Sequence, residues 1–159
     1  MMTKEEYKDR INSHKLSVKV GIQRIIHELS NRAISHDDDK LEESVLSSFY
    51  EVSKKFEGCK FGSEEYKNAL DELSPTLKSH YEKSPHHPEY YKNGICGMTL
   101  MDIIEMFVDW KSASSAYGDS FEESLSVTKE RFGIDEQLFS ILVNTGKKLG
   151  YVRSDLEHK

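Results

Sequence analysis

His36-Asp37, with Lys40 three residues on, is the part of this chain whose residue types and spacing could do chemistry. An imidazole and a carboxylate next to each other can face one cation if the backbone turns sharply, and a lysine one turn later is placed to meet an anion. A helix start supplies such a turn, and Asp37-Asp38-Asp39 ahead of Lys40-Leu41-Glu42-Glu43 reads as one. Acids collected in a first turn complement the helix dipole, so a solvated acidic N-terminus is the plain structural alternative. The other histidines decide between the two. Six of the seven lie between residues 14 and 87, and the last, His158, sits in a polar tail.

Those histidines fall on definite elements. From Ser13 to Asn31 the apolar positions Val18, Ile22, Ile25 and Leu29 have helical spacing, with His14 on the same stripe and His27 on the opposite side. His14 is therefore expected to face inward, and His27 to be exposed. Residues 64 to 73 and 75 to 83 carry Tyr66, Ala69, Leu70, Leu73, Leu77, His80 and Tyr81 in one stripe, with a break expected at Ser74-Pro75. Ser84-Pro85-His86-His87-Pro88-Glu89 follows, where two prolines oppose a helix and stiffen a loop that presents two imidazoles.

The segment from Thr99 to about Ala116 is apolar on most sides, through Ile103, Ile104, Met106, Phe107, Val108 and Trp110, so a central helix is expected there. Asp102, Glu105 and Asp109 run down one side of it. Thr99-x-x-Asp102 reads as a capping box, which accounts for Asp102. Asp109 has no such role, and a buried carboxylate requires a cation or hydrogen-bonding partners. Histidine-held metal would supply the cation; Lys40 or Arg24 would be the simpler partner.

The order His14, His36-Asp37, His80, His86-His87, Asp109 resembles the HD superfamily of metal-dependent phosphohydrolases. The His-Asp-x-x-Lys form with additional histidines is similar to its two-metal branch. More narrowly, His-His-Pro-Glu-Tyr followed by Glu-Met-x-x-Asp-Trp resembles a small group of phage and bacterial proteins. The likeness covers about residues 10 to 116. Only five residues separate His80 from His86, shorter than is usual between those two ligands in that branch.

At 159 residues a single domain is expected, with residues 10–116 holding the site and 117–159 forming C-terminal helices packed on it. Hydrophobic residues at 36% and charged residues at 31% suit a soluble globule rather than a disordered or membrane chain. No apolar run spans a bilayer, the N-terminus lacks a signal-peptide pattern, and Cys59 and Cys96 make no redox or zinc pair, so a cytoplasmic protein is expected. A net charge of −6 opposes broad nucleic-acid binding and leaves small anionic, phosphorylated substrates open; a homo-oligomer also stays open. Leu41, Val45, Phe49, Val52 and Phe56 read as a helix begun by Asp37 and Lys40 and ended near Gly58 and Gly62. Residues 120–132 and 135–149 read as two more, each stopped by glycine. The fold expected is an all-α bundle of about six helices.

Imidazole and carboxylate donors without thiolate suit one or two divalent ions among Mn, Fe, Co, Ni and Mg. The resemblance implies His14, His36, Asp37 and Asp109 on one ion, and Asp37 bridging to a second held by His80 and His86 or His87. Two such ions activate a water and neutralise a phosphoryl group, with Lys40 aimed at phosphate oxygens and Glu105 orienting a ligand or a water. The expected activity is hydrolysis of a nucleotide or other small phosphoester, with Asp37, Lys40 and Glu105 as the catalytic set. The alternatives are a di-iron oxygenase on the same frame, and a non-catalytic module that binds a nucleotide or a protein.

Overall fold

The computed structural model describes residues 2–56, 59, 63–118 and 120–153. Among these, regular structure is entirely helical: α1 (Lys4–Ser35), α2 (Glu43–Phe56), α3 (Glu64–Tyr81), α4 (Leu100–Tyr117), α5 (Phe121–Phe132) and α6 (Glu136–Leu149), with three short 3-10 turns at Asp38–Leu41, Pro88–Tyr90 and Gly94–Gly97. None of the described helices is long and apolar enough to cross a membrane. The chain divides into two units, Met1–His36 and Asp37–Lys159.

The first unit is α1 alone. Thr3 starts it with a complete capping box, its hydroxyl accepting from Glu6 N–H while the Glu6 carboxylate accepts from Thr3 N–H. The apolar stripe forms on a helix, as its spacing requires, but none of the helix's residues is buried. Val18, Ile22 and Ile25 are exposed.

In the second unit, helix starts and stops follow local chemistry. Ser63, Thr99, Ser120 and Asp135 each accept from the backbone N–H three residues on, and Thr99 completes a capping box with Asp102. Gly133 and Gly150 end α5 and α6 in the left-handed conformation, where a Cβ would be strained. Two expectations change. Asp37 and Lys40 do not begin α2. They belong to the separate Asp38–Leu41 turn, because Glu42 is extended and α2 starts only at Glu43. α3 runs unbroken through Ser74-Pro75, since packing holds the helix although Pro75 offers no N–H to the Asp71 carbonyl one turn earlier. The expected α2 stop at Gly58 and Gly62, and His158, lie outside the described residues.

Two apolar cores hold this unit. Val52 of α2 and Ala69 of α3 are buried against Phe49, Tyr66 and Leu77. The larger core joins α4, α5 and α6 through Phe107, Phe121, Leu125, Ile134, Leu142 and Val152. Phe107 meets Phe121 edge to face at 5.3 Å between centroids, and Trp110 stacks on Phe132 at 5.7 Å. After α6 the chain folds back so closely that a Cβ on Gly146 would lie 2.7 Å from Val152 Cγ2. The C-terminal segment thus supplies five of the six buried residues of the main core. α4 is buried along one face, at Asp102, Met106 and Phe107, while Leu100 and Val108 are exposed, so it is less surrounded than its composition suggested.

Candidate metal centre

Three stretches of the second unit meet at one point: the turn beginning at Asp37, the end of α3 and the loop 84–87. Asp37 stands in the left-handed region at φ 61° and ψ 17°, a conformation asparagine and aspartate tolerate better than other side chains. The sharp bend that follows sends both Asp37 and Asp39 toward His80. The loop is held from within, since His87 N–H donates to the Ser84 carbonyl and Tyr90 N–H to that of His87. Ser84, His86 and Pro88 are buried, so the loop is an interior element.

Asp37, His80, His86 and His87 each offer one ligand atom, and the four atoms lie within 4.8 Å of one another. His80 Nε2 is 2.9 Å from His87 Nε2 and 3.4 Å from Asp37 Oδ1, and His86 Nε2 is 3.5 Å from the same oxygen. Donors about 2.1 Å from a common ion at angles of 90° to 110° are themselves about 3.0–3.4 Å apart. The set therefore fits a single divalent ion.

What stands behind these rings orients them. His80 Nδ1 lies 2.7 Å from Asp39 Oδ2, with the Ser84 hydroxyl 3.2 Å away. His86 Nδ1 lies 3.3 Å from Glu105 Oε1. An ionised carboxylate only accepts, so each Nδ1 carries the proton and each Nε2 turns its lone pair inward. Such carboxylate–histidine pairs are the usual support of a metal ligand. Two ring nitrogens 2.9 Å apart repel unless a proton or a cation lies between them.

Burial favours the neutral form of His80 and His87. It lowers the His80 pKa against the opposing hydrogen bond to Asp39, and it takes His87 down to about 2 with help from the neighbouring His86 and His80. Neutral imidazole is the form that ligates metal. The second oxygen of Asp37 accepts from Lys40 Nζ at 2.6 Å, and that ammonium also lies over the Phe49 ring at 5.3 Å. Lys40 therefore holds Asp37 in place, a contact its expected aim at a phosphate did not include.

The remaining expected ligands are placed as follows. Asp109 offers an oxygen within 4.8 Å of one on Asp37. His86 and His87 both enter the cluster, where one of them had been expected. His36 caps the end of α1 and is tied to Asp37 by a peptide bond. His14 does not join it: the two lie twenty-two positions apart along unbroken α1 and its C-cap, about 33 Å at 1.5 Å per residue, and His14 is exposed. A single helix cannot bring both to one ion. His27 is exposed on the same helix. Asp39 and Ser84 were missed by sequence reasoning. The acidic run signalled Asp39, but it reads equally well as a helix start.

A family model described as a family of unknown function, DUF5662, matches residues 3–148. The chain belongs to this family. The match spans α1 and nearly all of the second unit, and so includes every residue of the cluster. No curated protein and no solved structure matches the chain.

Proposed function

We propose that this DUF5662 protein is a divalent-metal-dependent phosphohydrolase acting on a small phosphoester. The observation that carries the metal reading is the convergence of three imidazole nitrogens and Asp37 Oδ1 within 4.8 Å, with Asp39 and Glu105 behind His80 and His86. His80, His86, His87 and Asp37 would hold one ion, and Asp109 would extend the site from Asp37 toward a second. When bound, such ions lower the pKa of a water and neutralise phosphoryl charge. Asp39 and Glu105 keep the imidazole lone pairs directed inward. Lys40 fixes the Asp37 carboxylate and brings a positive charge beside the position of an anionic ester. The hydrolytic reading rests on the likeness of His36-Asp37-x-x-Lys40 and the later histidines to HD phosphohydrolases.

The donor set also favours a second reading. Several histidines with one carboxylate is the pattern of non-haem iron sites that use O2. Metal analysis of anaerobically purified protein separates these readings, followed by a panel of phosphomonoesters, phosphodiesters and nucleotides with Mn2+ and Fe2+. Hydrolysis with Mn2+, lost in His80→Ala, supports the hydrolase. Bound iron with substrate-dependent O2 uptake selects the oxygenase. Wild-type protein that binds no metal overturns both.

A further inference from the structure

Beside the cluster, α3, the Pro88–Tyr90 turn and α5 enclose an open cavity of about 430 Å³ that the metal centre does not use. That is within the range of small-molecule sites. Tyr81 belongs to both places. It lines the cavity, and its ring lies 4.5 Å from that of His87 and 5.8 Å from that of His80, centroid to centroid.

The lining is charged, and four of its five charged side chains stand in two ion pairs. Arg131 Nη2 donates to Glu89 Oε1 at 2.9 Å, and both residues line the cavity together with Tyr81. Lys78 and Glu82 approach to 3.9 Å, and Asp71 adds a further carboxylate. An anion entering here must compete with Glu89 for Arg131, and a cation must compete with Arg131 for Glu89. Three carboxylates face two cations, a net charge of −1 that opposes an anion and draws a cation only weakly. A neutral group bearing several hydroxyls meets no such conflict. Each hydroxyl can donate to a carboxylate and accept from the cation paired with it, and Leu77 and the Tyr81 ring offer apolar surface to its C–H faces.

From this juxtaposition we infer that the cavity receives the polyhydroxylated part of the substrate, making that substrate a sugar phosphate whose phosphoryl end reaches past Tyr81 to the cluster. The inference rests on the metal-centred reading above. Glu89, Arg131 and Tyr81 are then specificity residues: they select the alcohol portion of the ester and take no part in water activation.

The test is calorimetric titration of the full-length Mn2+-loaded protein with inorganic phosphate, ribose 5-phosphate and glucose 6-phosphate. Two net hydrogen bonds of ordinary strength amount to about tenfold in affinity. At least one sugar phosphate should bind about tenfold more tightly than inorganic phosphate. That ratio should fall to about one in Glu89→Gln and Arg131→Gln, while His27→Ala retains it. Metal and phosphate bound with no preference for either sugar phosphate would overturn the inference and leave the metal reading intact. A preference that survives both cavity substitutions would overturn it equally. Absence of Mn2+ binding, read in a separate metal titration, would overturn the metal reading and this inference with it.

Discussion

At the scale of single residues, the cluster separates side chains that could hold an ion from those that only direct them. Asp39 never reaches the ligand atoms; it holds the proton on His80 Nδ1 across 2.7 Å. Asp39→Asn should lower metal affinity roughly 10- to 100-fold, the usual cost of losing such a partner. Asp38→Asn, one residue earlier and exposed, should leave affinity unchanged in the same titration. Equal effects would show that the acidic run acts only through its summed charge. Lys40 makes a different prediction. Because its ammonium bonds Asp37 Oδ2, Lys40→Ala should weaken metal binding as well as turnover, measured as metal occupancy against kcat. A loss of turnover at full occupancy would instead place Lys40 on the substrate alone.

At the scale of the element, α3 carries His80 to the cluster on a helix that contains a proline. Pro75 offers no N–H to the Asp71 carbonyl, and a proline in a helix interior is about 3 kcal/mol less favourable than alanine. Pro75→Ala should therefore raise stability by about 1–3 kcal/mol in urea unfolding. A destabilised variant would mean that the ring contributes packing worth more than the missing hydrogen bond. At the start of α4, Thr99 and Asp102 cap each other's backbone N–H groups, and Tyr91 donates its hydroxyl to the buried Asp102 carboxylate at 2.8 Å. Thr99→Ala should cost about 1–2 kcal/mol in the same measurement.

At the scale of the whole molecule, the neutral histidines make stability depend on pH and on metal. His80 and His87 have folded pKa values below the ordinary 6.5, so below that pH the unfolded chain binds more protons than the folded one. Stability of metal-free protein should fall as pH drops below about 6.5, by up to about 1.4 kcal/mol per pH unit for each histidine. For His87 this continues down to about pH 2. An ion bound only by the folded state opposes this: a hundredfold excess over Kd adds about 2.7 kcal/mol at neutral pH. Thermal melts with and without Mn2+ should show the gain in wild type and in His27→Ala, and lose most of it in His87→Ala. Equal gains in all three would place the ion elsewhere.

The sequence by itself determined what depends on neighbours along the chain. Caps at Thr99, Ser120 and Asp135 and stops at Gly133 and Gly150 are local hydrogen-bonding and φ requirements, so the helices from α4 onward begin and end close to where their residues say. The all-α class follows from the same periodicity. Residue chemistry also limited the candidate ligands to a short set of histidines and acids. Tertiary structure decided which of them meet. The spacing of His14 specifies a helix face but not what covers it, and an unbroken α1 places that histidine about 33 Å from His36. Conversely, Asp39 and His80 are 41 residues apart and approach to 2.7 Å only because a left-handed Asp37 turns the chain and α3 returns to it. Periodicity assigns a side chain to a face; distances between faces are set by how helices pack, and the sequence pattern of one helix carries no record of that.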